Sequence, residues 1–195
     1  MSSILKVSEI QDPTNGNTAL TIDSTGDITT STVKVNDILG TNGHALTDTV
    51  LQTKHTSTTS FTTCSTTSYS DISGMSLTIT PTRTNSLIKL SGVLCAAIQS
   101  TASQVDVHGR SRILRTFTGD STEVYVIDLR TYDFNGGSIY VNTGLPFMFI
   151  DQPNTTLPVT YKFQGKEVSS GCTSMDFNAE SANRCSFIIQ EIAVN

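Results

Sequence analysis

The residues with types and spacing suited to chemistry sit in the middle of the chain. His108, Arg110 and Arg112 alternate along one short segment, with Arg115 just beyond. Residues two apart share a face of an extended strand, so the first three form a cationic strip. Such a strip could hold an anionic glycan or an acidic partner. It could also be a solvated strand face whose charges block edge-to-edge aggregation, and this is the preferred reading. Tyr125, Tyr132, Phe134 and Tyr140 lie within sixteen residues of one another. They could stack on sugar rings, or serve core and interface packing, again the preferred reading. The candidate glycan or partner contacts are therefore His108, Arg110, Arg112, Tyr125 and Tyr132.

Catalytic and metal chemistry find little support. His44, His55 and His108 fall in separate segments, and no G-x-S-x-G elbow, phosphate loop or dinucleotide fingerprint is present. Asp128, Asp133, Asp151 and Asp176 could supply a glycosidase carboxylate pair, but the chain has no Trp to build an aromatic sugar subsite. Cys64, Cys95, Cys172 and Cys185 form no C-x-x-C, and no His stands at a metal-ligand offset from them. Free thiols are expected, with a Cys172–Cys185 disulfide left open. Asn154-Thr155-Thr156 matches a glycosylation sequon, read as a chance match because no export signal is seen. The expectation is a protein that is not an enzyme, with no catalytic residue, no metal and no cofactor.

The elements that would position these residues are strands. Of 195 residues, 32 are Thr and 24 are Ser, while only 15% are charged. β-branched Thr favours strands, and the composition is far from that of coiled coils, collagen or disordered chains. Alternation is clearest in Ser70–Thr80, where Met75, Leu77 and Ile79 face away from Ser and Thr. Leu87–Ile98, Val105–Leu114, Val124–Leu129, Ser138–Asn142, Leu145–Asp151, Val159–Gln164 and Cys185–Ala193 read as further strands between turns. About eight strands with no convincing helix predict an all-β fold: an antiparallel β-sandwich or jelly-roll-like domain over residues 51–195.

The first fifty residues differ in texture. They carry Lys6 and Lys34 against six acids, a net charge of −4, whereas the remainder sums to −1. A weak repeat runs through them, from Leu5–Ile10 with Thr14–Leu20 to Val33–Ile38 with Thr41–Leu46. Each copy is a short alternating strand followed by an Asn-Gly turn. Strands this short cannot build a core in one chain, so residues 1–50 are expected to be a β-rich stalk completed by other copies, or an anchor ordered on docking. A plain flexible arm is the alternative. No run of 18 apolar residues exists, so no membrane insertion is expected. A pI near 5.0 argues against nucleic acid as a partner.

Several segments together resemble a known family. Thr58–Thr63 and Ser68–Pro81 are similar to the opening of a fibre- or spike-type β-sandwich domain of tailed-phage virion proteins, common in phages of marine bacteria and cyanobacteria. Asn85–Leu90 fits the family's second strand. Phe149–Thr156 with Val159–Lys162 resembles its aromatic-Asp-x-Pro turn and following strand, and Ile189–Ala193 its last strand. Ile4–Gln11 resembles the start of such proteins. The family's arginine-aspartate hairpin is not matched around residues 110–125. The resemblance implies a homotrimeric, non-enzymatic virion component made in the bacterial host cytoplasm. Residues 1–50 would attach it to other virion proteins through Leu5, Val7 and Ile10, and the sandwich would meet a host-surface glycan. A capsid or neck decoration protein is the alternative, and a glycan-binding adhesin module a third reading.

Overall fold

The computed structural model describes residues 9–11, 18–22, 28–29, 50–101, 105–132, 137–180 and 183–194. The chain divides into two compact units, Met1–Leu46 and Thr47–Asn195. In the first, β1 (Glu9–Gln11), β2 (Thr18–Ile22) and β3 (Ile28–Thr29) form an antiparallel meander. Of the expected attachment residues, Ile10 lies in β1, opposite Leu20. Leu5 and Val7, and the second copy of the repeat, lie outside the described residues.

Among the described residues, the second unit contains ten strands. They are β4 (Val50–Thr58), β5 (Thr62–Cys64), β6 (Ser70–Ile79), β7 (Leu87–Ser100), β8 (Asp106–Phe117), β9 (Asp120–Tyr132), β10 (Ile139–Asp151), β11 (Val159–Glu167), β12 (Ser174–Phe177) and β13 (Cys185–Ile192). β10 pairs along almost the whole of β7, while the opposite edge of β7 carries β13 first and then β12, which in turn pairs β5. β4 closes that sheet beyond β13. The second sheet runs β6-β11-β8-β9. Counting only the eight long strands in chain order, the sheets read 1-8-3-6 and 2-7-4-5. This is the double Greek key of a jelly roll, so the expected all-β sandwich is the observed fold.

Period-two burial builds the core. β7 turns Ile88, Leu90, Leu94, Ala96 and Ile98 inward, and β11 answers with Val159, Tyr161 and Phe163. Phe147, Phe163 and Phe187 meet at centroid distances of 4.9 to 6.1 Å, joining β10, β11 and β13. Such aromatic pairs add roughly 0.5–1.5 kcal/mol each beyond their area burial. Gly92 in β7 lets β13 and Phe147 approach: a Cβ there would lie 2.0 Å from the Ser186 carbonyl oxygen. Gly74, at φ 75°, sits where β6 departs from its register with β11 and turns toward Thr58 of β4.

Two expected strands, 138–142 and 145–151, are one strand. Gly144 and Pro146 break the sequence pattern, but β10 has no strand partner on its far edge among the described residues, and an edge tolerates proline. β4, β5 and β12 escaped the sequence pattern. β4 is an edge strand rich in Thr, with few apolar residues and mostly exposed side chains. β5 and β12 are only three and four residues long.

Candidate functional site

Alternation puts His108, Arg110 and Arg112 on the outer face of the β6-β11-β8-β9 sheet, while Val107, Gly109, Ser111 and Ile113 are buried beneath. The three side chains do share a face, but they are not a free cationic strip, because acids on the neighbouring strand β9 answer them. Arg110 donates from Nε (2.7 Å) and Nη2 (3.2 Å) to Asp128, its register partner on β9. His108 Nε2 lies 3.0 Å from the same carboxylate. Arg112 bonds to Gln164 at 2.8 Å and reaches Glu123 at 3.4 Å. Arg130 makes two bonds to Asp106, at 2.7 and 3.0 Å. On the far side, Asp71 takes Gln164 at 2.6 Å and Lys162 at 3.0 Å. Over these, the Tyr69 ring lies 3.8 Å from the Arg112 guanidinium and 4.6 Å from Lys166 Nζ.

Asp128, Asp106 and Asp71 are held below the ordinary carboxyl range. For Asp128 the main cause is the hydrogen bond from Arg110. For Asp106 it is the bond from Arg130. For Asp71 burial pushes upward, and the bonds from Gln164 and Lys162 overcome it. Alternating signs across strands favour one pairing register and oppose slippage. Ser169 lies beside His108, but its hydroxyl accepts from the His108 backbone N–H at 3.0 Å and donates to the Asp106 carbonyl. It is committed to the backbone.

The aromatic residues separate. Tyr125 points inward and stacks tilted on Phe149 at 5.4 Å. Tyr132, of opposite parity on β9, is exposed on the outer face. Tyr140 is exposed on the outer face of the other sheet, and Phe134 lies outside the described residues. Tyr125 is thus corrected from a surface contact to a core residue. It has odd parity on β9, whereas Asp128, Arg130 and Tyr132 are even, and the chain changes sheet before Tyr140. The carboxylates disperse likewise. Asp128 is on the charged face, Asp151 is buried at one end of the sandwich, Asp176 is buried on β12, and Asp133 lies outside the described residues.

Arg115, just beyond the strip, faces the other way. A bulge between Ile113 and Leu114 resets the β8–β9 register, and Arg115 turns inward as its odd number requires. It grips Asp120 across the β8–β9 turn, at 2.9 and 3.2 Å, and Asp151 at 3.0 and 3.1 Å, while Tyr161 Oη donates to Asp151 at 2.7 Å. An arginine-aspartate hairpin illegible in the sequence is therefore present, between Arg115 and Asp120. Burial pushes the Tyr161 phenol far up, and the Asp151 charge adds to it.

A second buried acid, Glu191, has no solvent exposure, at 0%. It accepts from Gln52 (2.6 Å), the Thr82 backbone N–H (2.6 Å), the Thr82 hydroxyl (2.9 Å) and Ser86 (2.7 Å). Its only sequence signal is parity: it follows Phe187 and Ile189 on the inward face of β13. All four cysteines are free, which answers the open disulfide. Burial raises the thiols of Cys64 and Cys185 to about 11. Among the described residues, no three His, Cys, Asp or Glu gather as a metal cluster, and no helix is long and apolar enough to cross a membrane.

The opposite outer face, on the β4-β13-β7-β10 sheet, has another character. Met148 (65% exposed) and Ile150 (51%) stand on β10 beside Pro146. The register row Met148–Ser91–Ile188–His55 crosses the sheet, flanked by Ile150–Lys89–Gln190–Thr53 and Pro146–Val93–Ser186–Ser57. Apart from Lys89 and His55, these rows hold only apolar and uncharged polar side chains.

No family model matches the chain, and no curated protein matches it in sequence. Among solved structures it is similar to one described as the structure of infectious bursal disease virus Gx strain. The TM-score is 0.31 and the identity 13%, over 74% of this chain and 37% of that one. The chain thus spans little more than a third of that neighbour's length, and a likeness this weak carries no weight below.

Proposed function

We propose that the chain is a structural component of a bacteriophage virion, a trimeric fibre or spike that works by binding and assembly and not by catalysis. Residues 1–50 attach it to other virion proteins, and the jelly roll is displayed. The observation that carries this reading is the contrast between the two outer faces. One is a closed ladder of ion pairs, which keeps strand surfaces soluble and unpaired. The other presents Met148, Ile150, Pro146, Val93 and Ile188 among hydroxyls and amides, almost without charge. Contiguous exposed apolar surface rimmed by polar groups marks an interaction site, and a nearly uncharged face can meet its own copy without like-charge repulsion. The family-like segments support the assignment to virions. In this reading a host-surface glycan meets the charged face, near the exposed Arg130 and Tyr132.

Light scattering on the purified chain tests the assembly. The expected mass corresponds to three chains, falling to one in the double variant Met148→Asp, Ile150→Asp with its fold intact by circular dichroism. A wild-type protein that stays monomeric would overturn the reading. Labelling the protein on intact particles then distinguishes a tail or head fibre from a decoration protein on the capsid or neck.

A further inference from the structure

β12 is buried on both faces. Met175 and Phe177 point into the core, and alternation sends Ser174 and Asp176 to the outer side of the sheet, yet Asp176 is only 7% exposed. Its Oδ2 accepts from the Ser174 hydroxyl at 3.1 Å, and its Oδ1 has no hydrogen-bond partner. No Lys, Arg or His pairs with it among the described residues. Buried polar groups are nearly always satisfied, and a buried charge without a counter-charge is costly. An ordered water would satisfy the oxygen and leave the charge uncompensated.

The surroundings are rich in oxygen. In register, the row across the sheet is Thr63–Asp176–Ala97–Asn142, and the next row is Ser174–Gln99–Tyr140. Neighbouring strands are about 4.8 Å apart, so Asp176 and Asn142 flank the small Ala97, itself only 1% exposed. Asn183 bonds back to the Glu180 carbonyl at 2.9 Å and to Asn142 Oδ1 at 3.4 Å. Asp176, Asn142, Thr63, Ser174 and Tyr140 thus occupy two adjacent rows beside the small Ala97, and Asn183 ties the Glu180 turn to Asn142. Such a set suits a hard cation, which takes six to eight oxygens at about 2.3–2.6 Å.

We propose that the outer side of β12 is a calcium site in which Asp176 supplies the central carboxylate, with Asn142 and Glu180 among its oxygen ligands. With so few carboxylates, the affinity belongs with extracellular calcium modules, on the order of 10⁻⁴–10⁻³ M. The site independently stabilises the sheet region where β12 bridges β5 and β7.

Thermal unfolding of the full chain, in chelator and in calcium up to about 10 mM, tests it. At tenfold excess over Kd the wild-type Tm should rise by about 3–6 °C. Asp176→Asn should show no calcium-dependent rise and be at least as stable as wild type in chelator. Terbium should give luminescence sensitised through tyrosine, displaced by calcium, weakened by Tyr140→Phe and lost in Asp176→Asn. No rise in the wild type, or an equal rise in Asp176→Asn, would overturn the proposal. Should the variant fail to fold, terbium with wild type decides: no sensitised signal overturns it, and a calcium-displaceable signal upholds it.

Discussion

Replacing Glu191 should disable the joint between the β6–β7 turn and the last strand. Its Oε1 gathers three donors, the Thr82 N–H, the Thr82 hydroxyl and the Ser86 hydroxyl, while Oε2 takes Gln52. Ser86 is itself buried. In Glu191→Ala these donors lose a charged acceptor, and each one left unsatisfied away from water costs about 1–3 kcal/mol. Water can reach the exposed Thr82 end, so the expected loss is about 2–5 kcal/mol, or roughly 4–20 °C in Tm for a chain of this size. Glu191→Gln should cost less, about 1–2 kcal/mol. Its carbonyl can still face the three donors, and Gln52 can rotate its amide to accept, at the expense of its bond to the Thr80 carbonyl.

The pH dependence adds an independent check. Burial pushes the Glu191 carboxyl up, but the four hydrogen bonds outweigh it, and the group sits below its ordinary value. A carboxyl depressed in the folded state binds fewer protons there than in the unfolded chain. Its stabilisation is therefore complete above the ordinary glutamate pKa of about 4.3 and lost as pH falls below it. Urea denaturation from neutral pH down to about pH 3.5 should show a steeper acid limb in wild type than in Glu191→Gln. Equal acid limbs, or a loss under about 1 kcal/mol in Glu191→Ala, would refute the assigned role.

Two further predictions concern the other charged clusters. Asp151→Ala removes one of the two carboxylates that hold the poorly exposed Arg115, and the acceptor of the Tyr161 hydroxyl, and should cost about 2–4 kcal/mol in denaturant titration, whereas Tyr161→Phe should cost about 1–2 kcal/mol. The Arg110–Asp128 pair is well formed, but Asp128 is 42% exposed; a double-mutant cycle should give a coupling below about 1 kcal/mol that shrinks with added salt, and a larger, salt-insensitive value would show that the ladder is a structural core.

Much of the fold was legible in one dimension because alternation is a local property. Met75 and Ile79, or Val107 and Ile113, are spaced so that one strand face must be buried, and the outward parity of His108, Arg110 and Arg112 followed from the same rule. What those side chains meet was not legible. Arg110 and Asp128 are 18 residues apart in sequence and adjacent only because β8 and β9 pair in one register. The bulge at Ile113–Leu114 is likewise a property of the pairing, as is the meeting of Arg115 with Asp151, 36 residues along the chain.

The sequence by itself determined the class of structure: Thr- and Ser-rich strands, apolar on one side. Tertiary structure decided everything that depends on partners far along the chain. It set acids of the neighbouring strand β9 against the cationic strip and sent Tyr125 into the core. It closed Arg115, Asp120, Asp151 and Tyr161 into one partly buried cluster, and left Oδ1 of the buried Asp176 without a hydrogen-bond partner. The physical reason is that strand periodicity is set by local backbone geometry, whereas charge, burial and hydrogen bonding are set by sheet topology, which joins β4 to β13 and β6 to β11 across most of the length of the domain.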